Sequence, residues 1–138
     1  MSWVHDNIIL AYNVDFKDET LVIKTEYHNR EPYEETDVIF TGLLTHDFKH
    51  VHKGSIIFDI QEYPMDQFLE ESHELLEENK NYLWPFPVFD IREKKRKKKL
   101  VDYIQANQYK VFLIYASVGL NGWVIAEKME IFVNGQLM

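Results

Sequence analysis

Apolar residues alternate with other residues in several stretches of the chain, and this alternation is the first guide to its elements. From Ile8 to Phe16 the even positions Ile8, Leu10, Tyr12, Val14 and Phe16 are all large and apolar, while Asn13 and Asp15 lie between them. A period of two predicts a strand. After the polar turn Lys17-Asp18-Glu19-Thr20, Leu21, Ile23, Thr25 and Tyr27 alternate with Val22, Lys24, Glu26 and His28, so the two stretches form an antiparallel hairpin. Asn29 to Thr36, with Pro32 and several charges, is predicted as a loop. The stretches 36–44 and 55–60 are rich in Val, Ile, Phe and Thr and predict two more strands, with a short third around Phe48 to His52.

Helical spacing begins at Pro64, which suits a first helical turn. Met65, Phe68, Leu69, Ser72, Leu75 and Leu76 then share one face, and Glu70, Glu71, Glu74, Glu77 and Glu78 occupy the opposite one. Trp84-Pro85-Phe86-Pro87 cannot be helical. Asp90 with Glu93 three residues later is an N-terminal capping signature for a second helix over about 91–106, in which Leu100, Val101, Tyr103 and Ile104 supply apolar positions in the C-terminal half only. Residues 109–118 are apolar on both faces, which places that strand centrally in a sheet. Asn121-Gly122 within Gly119 to Gly122 signals a hairpin leading into a last strand over 123–133. The expected fold is α+β: one domain over 1–138, an antiparallel sheet of five or six strands with two helices inserted between its halves.

Composition narrows the function more than it identifies one. The 138 residues are 46% hydrophobic and suffice for a packed core. With no cysteine there is neither a disulfide framework nor a thiolate nucleophile. The N-terminus shows no secretory pattern, and no apolar stretch reaches the 18 or so residues of a membrane span, so a cytoplasmic protein is expected. The formal net charge is −8, yet Arg92 to Lys99 holds seven of the fifteen Lys and Arg residues and carries +6, leaving −14 on the rest. An acidic body with one basic handle points to charged macromolecular partners.

Few residues propose chemistry of their own. His46, Asp47, His50 and His52 are the densest set of metal-capable side chains, but no established ligand spacing is present, so no metal or other cofactor is expected. The same imidazoles could sense pH. Asp59, between Phe58 and Ile60, is the carboxylate to inspect for acid–base work, but a solvent-facing strand position explains it better. No nucleophile elbow, phosphate-binding loop or dinucleotide motif occurs, so nothing requires an enzyme. The basic run could grip phosphates, but it lacks interleaved aromatics and the −14 remainder repels a long polyanion, which argues against nucleic acid. The same repulsion, without a lipid anchor, argues against a membrane. The ordinary reading of the run is a solvated helix start; cations in a first helical turn oppose the helix dipole, which weighs somewhat against a purely decorative run and leaves a contact role open to Arg92, Lys95, Arg96 and Lys99.

Thr36 to Gly42, Ser55 to Ile60 and Gly119 to Glu127 resemble stretches of small bacterial proteins, some encoded beside polymorphic toxins as immunity proteins. The resemblance implies a small acidic cytosolic inhibitor that docks on one toxin, and such inhibitors often cover the basic sites of nucleases. It transfers no functional residue. The expected function is therefore non-enzymatic protein binding, with Glu70, Glu71, Glu74, Glu77 and Glu78 meeting a basic partner surface and the basic run as a second contact. Another copy of this chain is one such partner. The alternative is a small-molecule-binding or enzymatic α+β domain with a pocket between sheet and helices, lined by Tyr, Trp and His.

Overall fold

The computed structural model describes residues 4–72, 104 and 106–138. Its strands are β1 (Ile8–Asp15), β2 (Thr20–Tyr27), β3 (Glu34–Thr41), β4 (Thr45–Lys49), β5 (Ile56–Tyr63), β6 (Lys110–Val118), β7 (Asn121–Ala126), β8 (Lys128–Val133) and β9 (Gln136–Leu137). All pair antiparallel in one sheet, in the order β4-β7-β6-β5-β1-β2-β3-β8-β9. Among the described residues one helix, α1 (Met65–Glu71), lies between β5 and β6 in the chain.

This architecture corrects the α+β expectation of five or six strands with two helices. The sheet has nine strands, and α1 is the single helix assigned among the described residues. The second expected helix falls outside the described residues except at its end, where Ile104 and Ala106 are helical. Two differences from the expected strands have physical reasons. The stretch 123–133 reads as one strand but turns a corner at Glu127, whose N–H donates to Thr41 O at 3.0 Å and Gly42 O at 3.2 Å. Its halves, β7 and β8, therefore join opposite ends of the sheet. The supposed loop before Thr36 already contains the start of β3, because Glu34 and Glu35 pair with Tyr27 and Glu26.

The period-2 faces explain the core. Leu21 and Ile23 of β2, Val38 and Phe40 of β3, Ile57 and Ile60 of β5, Phe112 and Ile114 of β6, Val124 of β7 and Ile131 of β8 form one buried cluster. Strands far apart in the sheet order thus share a core, so the sheet folds back on itself, with the Phe40 and Phe112 rings 5.4 Å apart. Residues on the other face of β6 and β7, Val111, Trp123 and Ile125, pack with Phe68 and Leu69 of α1 and with Ile104. β6 is apolar on both faces because it is covered on both, between β5 and β7.

Two local features shape the sheet's ends. The turn between β6 and β7 is made by Gly119 and Leu120, with Gly119 at φ +92°. Asn121 caps it by accepting Ala116 N–H at 2.9 Å and donating to Gly119 O at 3.1 Å. Gly122 serves the sheet edge instead. A Cβ there would collide with the Asp47 carbonyl of β4, so its bare backbone lets the edge strand pair closely.

Candidate docking face

The outward positions of β2, β3 and β8 alternate with the core residues and carry most of their charge there. Glu26 of β2 lies directly opposite Glu35 of β3, and Asp37 lies between Lys24 on one side and Phe132 on the other. Glu130 of β8 stands opposite Ile39 and is 3.3 Å from Lys128. This face brings together Glu26, Glu35, Asp37 and Glu130 against two lysines. Glu35 is exposed and the other three carboxylates are partly exposed. The described residues as a whole include seventeen Asp and Glu against seven Lys and Arg.

The β2–β3 turn carries paired side chains of its own. His28 Nε2 is 2.7 Å from Glu26 Oε1, and its ring stacks on Tyr33 at 4.0 Å and 19°. Arg30 donates to Glu34 at 2.9 Å and lies 6.0 Å from the centre of the Tyr27 ring. Like charges directly opposite one another destabilise a strand pair. The Glu26–Glu35 opposition is therefore a local cost to the β2–β3 pair, offset in part where Glu26 meets His28.

Of the carboxylates expected to meet a partner, Glu70 and Glu71 lie exposed on α1. Glu71 also has an internal role: it accepts from the Tyr63 hydroxyl at 2.9 and 2.8 Å and from Gln67 at 2.9 Å. That hydrogen bond to a carboxylate holds the Tyr63 proton and pushes its ionisation above the ordinary phenol range. Glu74, Glu77, Glu78, Arg92, Lys95, Arg96 and Lys99 lie outside the described residues. Alternation alone does not reveal the acidic face on β2, β3 and β8, because Pro32 and its charged neighbours make residues 29–36 read as a loop. The signal is present in Glu35 and Asp37, two apart in a strand whose other face is Thr36, Val38 and Phe40.

The histidines separate rather than converge. His46, on β4, is half-buried beside Phe48, with ring centres 5.1 Å apart. Burial lowers its pKa from the ordinary 6.5, and the nearby Asp47 charge opposes part of that shift. His50, at φ +58°, ends the extended run, so the short strand expected around Phe48 to His52 lies instead at Thr45–Lys49 and does not reach His52. His50 lines an open hollow of about 380 Å³ with Asp47, Lys49, Ser72, Asn121 and Trp123, whereas His52 lines a different one beside β1. Among the described residues no three His, Asp or Glu side chains are grouped to hold a metal. Asp59 accepts from Ile60 N–H and Gln61 Nε2, each at 2.9 Å, beside the bulge that turns out Phe58.

No helix among the described residues is long and apolar enough to cross a membrane. No protein-family model, curated protein or solved structure matches the chain.

Proposed function

We propose that this chain is a non-enzymatic protein-binding domain that docks on a cationic partner through carboxylates, in the manner of an immunity protein. The observation that carries the reading is the outward face of β2, β3 and β8, where Glu35 stands against Glu26 and Asp37 and Glu130 extend the same negative surface. A basic partner surface would relieve the mutual repulsion of these groups, so complex formation gains what the free domain forgoes. Glu70 and Glu71 on α1 would add a second acidic contact, and the basic run a flanking one.

Affinity capture with the immobilised full chain, in lysate of the source organism at about 50 and 500 mM NaCl, tests it. The expected result is retention of a basic protein at low salt that weakens at high salt and is lost on the double charge reversal Glu35→Lys, Asp37→Lys. Capture indifferent both to salt and to the reversal would sink the reading. The small-molecule alternative has one observation on its side, the hollow where Asp47 and His50 meet Trp123. A metabolite co-purifying with the native chain and released by Trp123→Ala would favour it instead.

A further inference from the structure

We infer that the free edge of β1 is a self-association surface, on which a second copy of this chain lays its own β1 antiparallel about a two-fold axis. β1 stands between β5 and β2 in the sheet, but it is paired on both sides only at its start. Ile8 is opposite Ile56, and Ile9 N–H donates to Ser55 O at 2.8 Å. Along Leu10 to Asp15 the ladder partners among the described residues are those of β2 alone. The register irregularity between Ile9 and Ala11 marks a bulge at Leu10, where β1 parts from β5. Among the described residues no strand takes up the backbone groups on that edge, which leaves them to pair with another strand.

The side chains along this edge are unlike those of an edge kept from pairing. Leu10 is 53% exposed, Tyr12 38%, Phe16 79% and, on the facing segment, Val51 48%. Between β1 and residues 51–55 lies a hollow of about 630 Å³ whose lining, among the described residues, includes Lys53 and no carboxylate. A fitting occupant is an extended strand with apolar side chains to meet Leu10 and the exposed part of Tyr12, whose ring also meets Phe48 of β4 edge-on at 5.3 Å, and one carboxylate to reach Lys53.

β1 itself meets that description. Antiparallel pairing centred on Tyr12 sets Leu10 against Val14 and Ala11 against Asn13 of the second copy. Ile9 is already bonded to Ser55 on this side, so the ladder ends at Leu10 and Asp15 comes to lie beside the segment that carries Lys53. A two-fold axis makes each contact twice. This pairing uses the edge of β1, not the outward face of β2, β3 and β8, so it stands or falls separately from docking on a cationic partner. Two copies of net charge −8 repel one another, and an association driven by apolar contact and backbone pairing therefore strengthens as salt screens that repulsion.

Sedimentation velocity on the full chain at about 5 to 500 μM, in about 50 and 500 mM NaCl, reads this directly. The expected result is a monomer–dimer equilibrium that moves toward dimer in high salt. Leu10→Lys with Phe16→Lys, both exposed positions, should raise the dissociation constant at least about tenfold while the circular dichroism spectrum is kept. Amide exchange over residues 10–15 should slow across the concentration range in which dimer forms. A monomer under all conditions would overturn the inference, as would a dimer weakened by salt. A dimer that leaves exchange at 10–15 unchanged would assign the association to another surface and overturn it too.

Discussion

A short polar relay within the apolar core illustrates how much a single hydroxyl decides. Asn7 Nδ2 donates to Thr25 Oγ1 at 3.0 Å, and Thr25 donates in turn to the Thr36 carbonyl at 2.7 Å; all three residues are buried. The Thr36 hydroxyl has no partner among the described residues. Two isosteric replacements should therefore differ in outcome. Thr25→Val strands a buried amide and a buried carbonyl and should cost about 1 to 3 kcal/mol. Thr36→Val removes an unsatisfied group and should be neutral or stabilising by up to about 1 kcal/mol. Urea unfolding of the pair checks this, and equal losses would show that the hydroxyls of Thr25 and Thr36 are alike in their bonding.

His46 supplies a pH dependence of definite sign. Burial favours its neutral form in the folded chain, so the folded pKa lies below the ordinary 6.5, with Asp47 opposing part of the shift. Between the two values the unfolded state binds more protons, and stability rises with pH across that window. The contribution is complete above about pH 6.5 and is lost as pH falls toward the folded value. Thermal unfolding followed from about pH 7.5 to 5.5 should show this decline, and His46→Gln should flatten it. An unchanged slope in the variant would remove His46 as its source.

At the scale of elements, α1 is a seven-residue helix that depends on the sheet for its stability. Its N-terminal flank is Pro64, no side chain caps it, and a helix this short is marginal on propensity alone. What fixes it is Phe68, 4% exposed and edge-on to Trp123 at 5.3 Å, with Leu69 beside it. Phe68→Ala should lower the unfolding free energy by about 3 to 5 kcal/mol. A loss below about 1 kcal/mol in urea titration would mean that α1 is dispensable to the cover over β6 and β7.

The same scale shows which parts of the fold were legible. β2 and the central β6 could be read directly, because a strand with one or both faces buried writes its burial into a period of two or a continuous apolar run; β1 was read from the same period although its Leu10, Tyr12 and Phe16 are exposed. The corner at Glu127 could not, since both flanks of that residue are equally strand-like and its partners, Thr41 and Gly42, are distant in sequence. The bulge at Leu10 was hidden for the opposite reason: Ile9 and Leu10 are both apolar, so the slip leaves the pattern looking regular. The candidate face was partly legible as an excess of acid, but its placement on β2, β3 and β8 needed the cross-strand register that sets Glu26 against Glu35. Separation of His50 from His52 likewise depends on one left-handed backbone angle, which the residue names do not announce.

For the whole molecule, the question is whether its negative charge is incidental to a stable sheet or held against stability for binding. Glu35→Lys separates the two. Glu26 lies directly opposite, so the substitution converts a like-charge pair into an opposite-charge pair, a change of about 0.2 to 1 kcal/mol in favour of the fold. The gain should be largest in dilute buffer and shrink at about 0.5 M salt. If the face exists to meet a cationic partner, the same substitution weakens capture, so stability and binding move in opposite directions. Asp37→Lys is the contrasting case: Asp37 already faces Lys24, so reversal sets two lysines opposite each other and should lower both stability and binding. Thermal unfolding and capture measured on both variants decide the matter. A Glu35→Lys chain that is less stable than the parent, or one that binds as well as before, would mean that the carboxylates serve the sheet rather than a partner.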